Sequence, residues 1–350
     1  VLKHGNEVSI LIIYTGGTIG MVQDPDTKSL VPIDFMHITD HVPELGRFGY
    51  GIHSVSFDPV KDSSNIDPGI WTKMADIIEQ SYDHFDGFVI LHGTDTMAYS
   101  ASALSFMLEN LSKPVILTGS QLPIGLLRTD GRDNLITAIE IAAARTNDIP
   151  SVPEVCIFFD SKLTRGNRSS KVSAEHFDAF ESPNYPPLAD VGLHLRYYQS
   201  LIRKIPGDKK LAVHRNFDNN VASLKLFPGI SRNLVQAVLK TAGLRGLIIE
   251  TFGSGNAPTY KWFIDDLRQF IKDGGIILNV TQCHGGSVEM GMYETSREML
   301  EAGVISGRDM TFESSVTKLM YLLGRYRSRD EIIRSLQISL AGEITEVPDI

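Results

Sequence analysis

Ile10-Leu11-Ile12-Ile13-Tyr14 runs directly into Thr15-Gly16-Gly17-Thr18-Ile19-Gly20, and Phe88-Val89-Ile90-Leu91 runs into His92-Gly93-Thr94-Asp95-Thr96. Each opens with a short apolar run rich in β-branched residues, the pattern of a strand buried on both faces of a parallel sheet. The residues after such a strand sit at its carboxyl end, where open α/β sheets place their ligands. Each segment presents hydroxyl groups there, and the second adds the carboxylate of Asp95. That combination points to covalent chemistry and so to an enzyme.

Along the rest of the chain strands and helices alternate, the pattern of βαβ units and a mostly parallel sheet. Ser54 to Asp58 reads as a strand. Asp67-Pro68 reads as a helix cap followed by proline in the first turn, where its missing N–H costs nothing. Ile70, Met74, Ile77 and Ile78 continue that helix at helical spacing. Strand 88–91, a helix near 98–110, strand 115–117, a helix near 132–145 and strand 155–159 come next. Between Glu181 and Asp218 the rhythm fails at Pro183, Pro186, Pro187, Pro206 and Gly207. A second alternation then runs through strand 221–227, helix 231–242, strand 247–250, helix 260–272 and strand 276–280. Terminal helices near 312–324 and 329–340 complete it, and Met292-Tyr293 and Met320-Tyr321 read as core. The expectation is two α/β domains, a larger one over 1–195 and a smaller one over 219–350, with an irregular linker at 196–218.

A chain of 350 residues is long for a single core, which agrees with two domains. The net charge of −9 and the lack of a dense basic stripe disfavour nucleic acid and anionic membranes as partners. No apolar stretch approaches a membrane span, and Val1 to Glu7 contain no signal-peptide core. Cys156 and Cys283 both read as buried thiols within strands. A cytoplasmic protein without disulfides is the simplest account. No closely spaced His, Cys and carboxylate set supports a metal site, and no cofactor is expected.

A threonine hydroxyl needs a base to take its proton and an oxyanion hole to receive the developing charge. Gly16-Gly17 frees the backbone to present Thr15 and Thr18 at the sheet edge. Gly93 does the same before Thr94, whose N–H could face a developing oxyanion. Asp95 could orient a lysine or accept a substrate ammonium, but periodicity does not choose the lysine. The plainer readings are a tight turn for the glycine pair and a hydrogen-bonded structural role for His92 and His284. A dinucleotide-binding oxidoreductase is the reading on glycine content alone. The G-x-G-x-x-G spacing is absent, however, and nothing matches G-K-[ST].

The two segments resemble the signatures of the bacterial-type L-asparaginase family, closest to its cytoplasmic (type I) branch. Supporting stretches are Asp62-Ser63-Ser64, Thr118-Gly119-Ser120-Gln121, Arg165 to Lys171, Gly253 to Pro258 and Thr281-Gln282-Cys283. The resemblance implies hydrolysis of L-asparagine to L-aspartate and ammonia through an acyl-enzyme, without metal or organic cofactor. Thr18 matches the family's nucleophile, and Thr94, Lys171 and Asp95 match its activating relay. Asp95 also matches the holder of the substrate α-amino group. Ser63 matches the carboxylate-binding serine, Ser64 falls where secreted relatives carry glutamine, and Gly93 is implied to be a further substrate-binding residue. Thr15 is implied to be a structural neighbour. Asn256 is implied to reach the site of an adjacent subunit in a homotetramer built as a dimer of dimers.

Two departures stand out. The stretch from Met21 to Pro32 has no tyrosine where relatives carry one, and Leu30 takes its place; Asp24 to Ser29 still read as a polar lid. Ser170, Thr281 and Cys283 match or approximate residues near a regulatory asparagine site of some relatives. There Glu250 stands where an arginine is expected, and it would repel an effector carboxylate unless another cation compensates. Two other readings compete. A tRNA-dependent amidotransferase subunit should carry an added N-terminal module, whereas here the first strand starts within ten residues. A non-catalytic amino-acid sensor on the same fold would have no need for both threonines and the lysine.

Overall fold

In the computed structural model the described residues are 8–23, 30–32, 42–205, 207, 209–291 and 294–346. They divide into two compact units, one running to Ser182 and resuming over Pro186–Arg215, the other comprising Pro183–Tyr185 and the chain from Asn216 onward. Asp24 to Ser29, read as a lid, and the Met292-Tyr293 pair lie outside the described residues.

The first unit is built on an eight-stranded sheet. Its strands are β1 (Ser9–Tyr14), β2 (Gly51–Ser56), β3 (Gly87–Leu91), β4 (Val115–Thr118), β5 (Val155–Phe159), β6 (Lys162–Arg165), β7 (Ala189–Val191) and β8 (Leu195–Tyr197). They lie in the order β8-β7-β6-β5-β4-β3-β1-β2. The pairings from β2 through β1, β3 and β4 to β5 are parallel, and those from β5 to β8 are antiparallel. Every residue of β3, β4 and β5 is buried, as are Ile10 to Tyr14 of β1. This burial explains their unbroken apolar sequences, since each large aliphatic side chain removed from water contributes about 1.5–3 kcal/mol.

Helices α1 (Pro68–Ser81), α2 (Met97–Met107) and α3 (Gly131–Ala143) belong to this unit. The Asp67 carboxylate accepts the Ile70 N–H at 3.0 Å, the cap expected there, and Met74 and Ile78 are fully buried. Helix α2 packs on α1 and on β4 and β5, and α3 packs on β1, β3, β4 and β5. The strand expected at 54–58 runs over 51–56, because its register is fixed by parallel pairing with β1 from Ser9↔Gly51 to Tyr14↔Ser56.

The order β2-β1-β3-β4-β5 reverses direction between β1 and β3. Such a reversal opens a crevice at the carboxyl ends of the two strands, the usual ligand site of an open α/β sheet. Thr15–Gly20 and His92–Thr96 leave from those two ends. Topology therefore converges the two motifs although 76 residues separate Thr15 from Leu91, which its backbone and side chain both contact.

The second unit holds a four-stranded parallel sheet of β9 (Val221–Lys225), β10 (Gly246–Thr251), β11 (Ile276–Thr281) and β12 (Ile305–Ser306), in sequential order. Sequential order gives no reversal, so this sheet offers no comparable crevice. Its helices are α4 (Arg232–Leu239), α5 (Lys261–Lys272), α6 (Glu294–Ala302), α7 (Phe312–Arg325) and α8 (Arg329–Gln337). Leu247, Ile249, Phe263, Leu267, Ile277 and Met299 form the heart of its core. Helix α6 is not expected from the sequence, because its apolar residues Met299, Leu300 and Ala302 crowd its end instead of forming a stripe. Tyr321 is core as expected, with Met320 only partly buried. Cys156 is a buried strand thiol, whereas Cys283 lies past the end of β11 and is exposed, contrary to its reading as a buried residue.

Candidate active site

Thr15 shows how β1 hands over to its motif. Its N–H and its hydroxyl both donate to the Leu91 carbonyl at 3.0 Å, and its own carbonyl accepts the Lys61 N–H at 2.7 Å. With its hydroxyl buried and committed, Thr15 fastens the end of β1 to the end of β3. Gly16 and Gly17 come next with φ of +133° and +92°, conformations that side chains rarely adopt. They swing the chain so that Thr18, half-buried, opens a short 3-10 turn over Thr18–Gly20.

Close approach makes these glycines obligatory as well. A Cβ on Gly17 would lie 2.5 Å from the Gly93 nitrogen, and a Cβ on Gly93 would lie 2.6 Å from both Cβ and Oγ of Ser63. Gly93 itself has φ −66° and ψ 145°, open to any residue. Its need is thus packing and not backbone freedom, a correction to the sequence reading. Three segments meet in this way: Gly17 with Thr18, Gly93 with Thr94, and Ser63.

Further bonds hold the meeting point. The Thr96 hydroxyl donates to the Ser63 carbonyl at 2.6 Å. The Asp62 carboxylate accepts the Ser64 N–H at 2.8 Å and the Ser64 hydroxyl at 2.5 Å, which holds Asp62 below its ordinary pKa. Ser63 is buried while Ser64 is exposed. Gly119 closes the other flank, where an added Cβ would stand 2.4 Å from the His92 carbonyl and 3.5 Å from Thr94 Cγ2. The loop after Gly119 is braced by Asp130, which accepts the N–H groups of Gln121 and Leu122 at 2.9 and 3.1 Å. Asn134 adds a bond to the Gly119 carbonyl at 3.0 Å.

The lysine that periodicity does not select is Lys171. Its Nζ donates to Thr94 Oγ1 and to Asp95 Oδ1, each at 2.7 Å. It arrives from a two-residue strand, Ser170–Lys171, paired with Phe180–Glu181. The Lys171 side chain is 17% exposed and that of Asp95 65%. The carboxylate thus holds the ammonium at its inner edge while its outer face is open to a substrate charge.

Tyr14, the only tyrosine close to the first motif in sequence, lies beneath the turn. Its ring is fully buried, so close to Gly20 that a Cβ there would stand 2.2 Å from it, and its hydroxyl reaches the Gly17 carbonyl at 3.5 Å. Burial pushes its phenol up to about 12. It therefore does not take the place of the loop tyrosine.

The other expected residues lie in the second unit, except Ser170, which precedes Lys171. Asn256 is partly buried in the turn after β10, where its N–H donates to the Phe252 carbonyl at 2.8 Å. Thr281 donates from its hydroxyl to the Gly253 carbonyl at 2.6 Å and accepts the Cys283 N–H at 3.0 Å. Glu250 stands one ladder position back on β10, opposite Val280. Burial raises its carboxyl pKa, and Lys225, with Nζ 3.9 Å away, opposes that rise.

Comparison with known proteins agrees with this architecture. The family model described as Asparaginase, N-terminal matches residues 9–203, and the Glutaminase/Asparaginase C-terminal domain matches residues 220–336. The chain belongs to the asparaginase family. It is 43% identical to L-asparaginase 1 of Escherichia coli K12, covering 96% of this chain and 98% of that one. It is 41% identical to the 60 kDa lysophospholipase of Mus musculus, covering 97% of this chain and 63% of that protein. Among solved structures, L-asparaginase I of Vibrio cholerae superposes with a TM-score of 0.88 at 41% identity, covering 97% of this chain and all of that one.

Proposed function

We propose that this protein is an L-asparaginase that hydrolyses L-asparagine to L-aspartate and ammonia at the crevice between β1 and β3. The observation that carries the reading is the Lys171 ammonium bridging Thr94 and Asp95 beside the Gly17–Gly93–Ser63 junction. A binding pocket has no use for a lysine aimed at a threonine hydroxyl, whereas proton transfer requires that contact.

The Thr18 hydroxyl is the nucleophile. Its oxygen adds to the side-chain amide carbon of asparagine, and the carbonyl oxygen becomes an oxyanion. As the C–N bond breaks, the amine takes up the Thr18 proton and leaves as ammonia, so that a β-aspartyl ester remains on Thr18. Water then adds to the ester and Thr18 departs with a proton, releasing aspartate. The Thr94–Lys171–Asp95 relay accepts and returns the proton in each half, Lys171 passing a proton to the Asp95 carboxylate as it takes one from the Thr94 hydroxyl. Asp95 takes the substrate α-ammonium at its open face, and Ser63 takes the α-carboxylate, with Ser64 and Gly93 shaping its pocket.

The assembly that this reading calls for is a homotetramer of paired dimers in which Asn256 reaches a neighbour's site. A cytoplasmic location fits the composition, and no helix among the described residues is long and apolar enough to cross a membrane. An effector site for asparagine built on Thr281 and Cys283 would depend on Lys225 offsetting Glu250. A hyperbolic rate curve without lag would count against such a site.

Ammonia release from the purified protein with L-asparagine, run in parallel with L-glutamine, tests the activity. Turnover of asparagine well above glutamine is the expected result. A folded protein silent with both would overturn the reading.

A further inference from the structure

His92 closes β3 directly behind the reacting groups, and no step of the proposed hydrolysis uses it. It is fully buried, as is Ser100 on α2, and Trp71 on α1 is 6% exposed. His92 Nδ1 lies 2.6 Å from the Gly93 carbonyl oxygen, and Nε2 lies 2.9 Å from Ser100 Oγ, which accepts the Trp71 Nε1–H at 3.0 Å. A carbonyl oxygen only accepts, so Nδ1 must carry the proton. Nε2 is then the acceptor and the Ser100 hydroxyl its donor. The chain runs one way, from Trp71 through Ser100 and His92 to the Gly93 carbonyl, with one tautomer allowed. Burial drives the imidazole pKa down to about 4, so the ring stays neutral across the working range.

The consequence falls on the next peptide. In a planar trans peptide the C=O and the following N–H point in opposite directions. With the Gly93 carbonyl held toward the buried ring, the Thr94 N–H must face the other way, out of the interior. Thr94 is half-buried and its hydroxyl meets Lys171 on that outer side. Among the described residues no acceptor takes the Thr94 N–H.

We infer that His92, held by Ser100 and Trp71, is a positioning residue that orients the Thr94 N–H toward the oxyanion formed when Thr18 attacks. The inference rests on the proposed amide hydrolysis. Its atoms are all protein atoms already placed, and His92 itself exchanges no proton during turnover.

The test compares His92→Leu, His92→Asn and Ser100→Ala by steady-state ammonia release. Leucine fills the volume without a donor. Asparagine returns a nitrogen donor near the Nδ1 position, and alanine at 100 frees the ring while leaving the Gly93 contact in reach. Loss of an oxyanion donor lowers kcat by about 10²–10³ with binding retained. His92→Leu should show that fall with KM changed less than about threefold. His92→Asn should recover about tenfold or more of the lost kcat, and Ser100→Ala should fall between. Equal loss in the asparagine and leucine variants, or kcat undiminished in folded variants, would overturn the inference. If His92→Leu fails to fold, Ser100→Ala decides the matter: an unchanged kcat there overturns the role. An active wild type with an undiminished His92→Leu defeats this inference alone. A wild type that releases no ammonia defeats the hydrolase reading and this inference with it.

Discussion

Lys171 Nζ stands 2.7 Å from the Thr94 hydroxyl oxygen, across 77 residues of sequence. The same ammonium is shared with Asp95. The two contacts make Lys171 the only link from the threonine to the carboxylate that any of the described hydrogen bonds provides, so the proposed relay would act as a unit.

Lys171→Met should lower kcat by about 10²–10⁴, the range for loss of a proton-transfer group. Thr94→Ala should cost a similar amount, and the double variant little more than either, because members of one unit are strongly non-additive. Steady-state ammonia release with thermal melts of each variant checks this. Multiplicative losses in the double variant would show that the two side chains act separately.

Gly93→Ala should damage binding more than folding. Its Cβ would press on Ser63 at 2.6 Å, and relief of such overpacking costs about 1–3 kcal/mol. If Ser63 meets the substrate carboxylate as proposed, displacing it should raise KM by roughly tenfold. Gly17→Ala adds the strain of φ +92° and should be the less stable of the two. A KM for Gly93→Ala equal to that of the wild type would separate Ser63 from substrate binding.

His92 makes stability depend on pH. Its pKa falls from the ordinary 6.5 when unfolded to about 4 when folded, so between those values the unfolded chain binds the extra proton. Its contribution is fully present above pH 6.5 and is lost as pH falls through 4, amounting to about 3 kcal/mol. Urea midpoints measured from pH 7 to pH 4 should decline less steeply in His92→Asn than in the wild type. Parallel declines would mean that His92 is not the titrating group.

In the second unit, Lys318 and Glu343 form an ion pair at 2.6 Å with both side chains wholly buried. Lys318 also donates to the Leu336 and Ile338 carbonyls, and Glu343 accepts the Leu340 and Ala341 N–H groups, so the pair ties the turn after α8 to α7. Lys318→Met leaves a buried carboxylate unpaired and should cost about 3–5 kcal/mol. The double variant Lys318→Met with Glu343→Leu should recover part of that loss in denaturant unfolding. No recovery would assign the cost to packing and not to charge.

The legible parts of this fold are those set by local pattern. The buried runs of β1 and β3, and the Asp67 cap with its proline, come from period, branching and turn chemistry. Parts that depend on distant partners are not legible. Lys171 sits in a two-residue strand with no periodicity, and only the family resemblance singles it out. His92 reads as a hydrogen-bonded residue, yet its partner Ser100 and the Trp71 that donates to Ser100 lie on separate helices and carry no sequence signal. Gly93 reads as a point of backbone freedom, because a glycine needed for packing is spelled the same as one needed for φ. Cys283 reads as buried although the apolar run of β11 ends at Val280, and the three residues after it are polar or exposed.

Thr18 as the nucleophile is tested by ammonia release from L-asparagine by Thr18→Ala set against the wild type, with folding verified by circular dichroism. The variant should keep its fold and fall below about a thousandth of the wild-type kcat. A folded Thr18→Ala retaining a substantial share of wild-type turnover would contradict the assignment of Thr18 as the nucleophile.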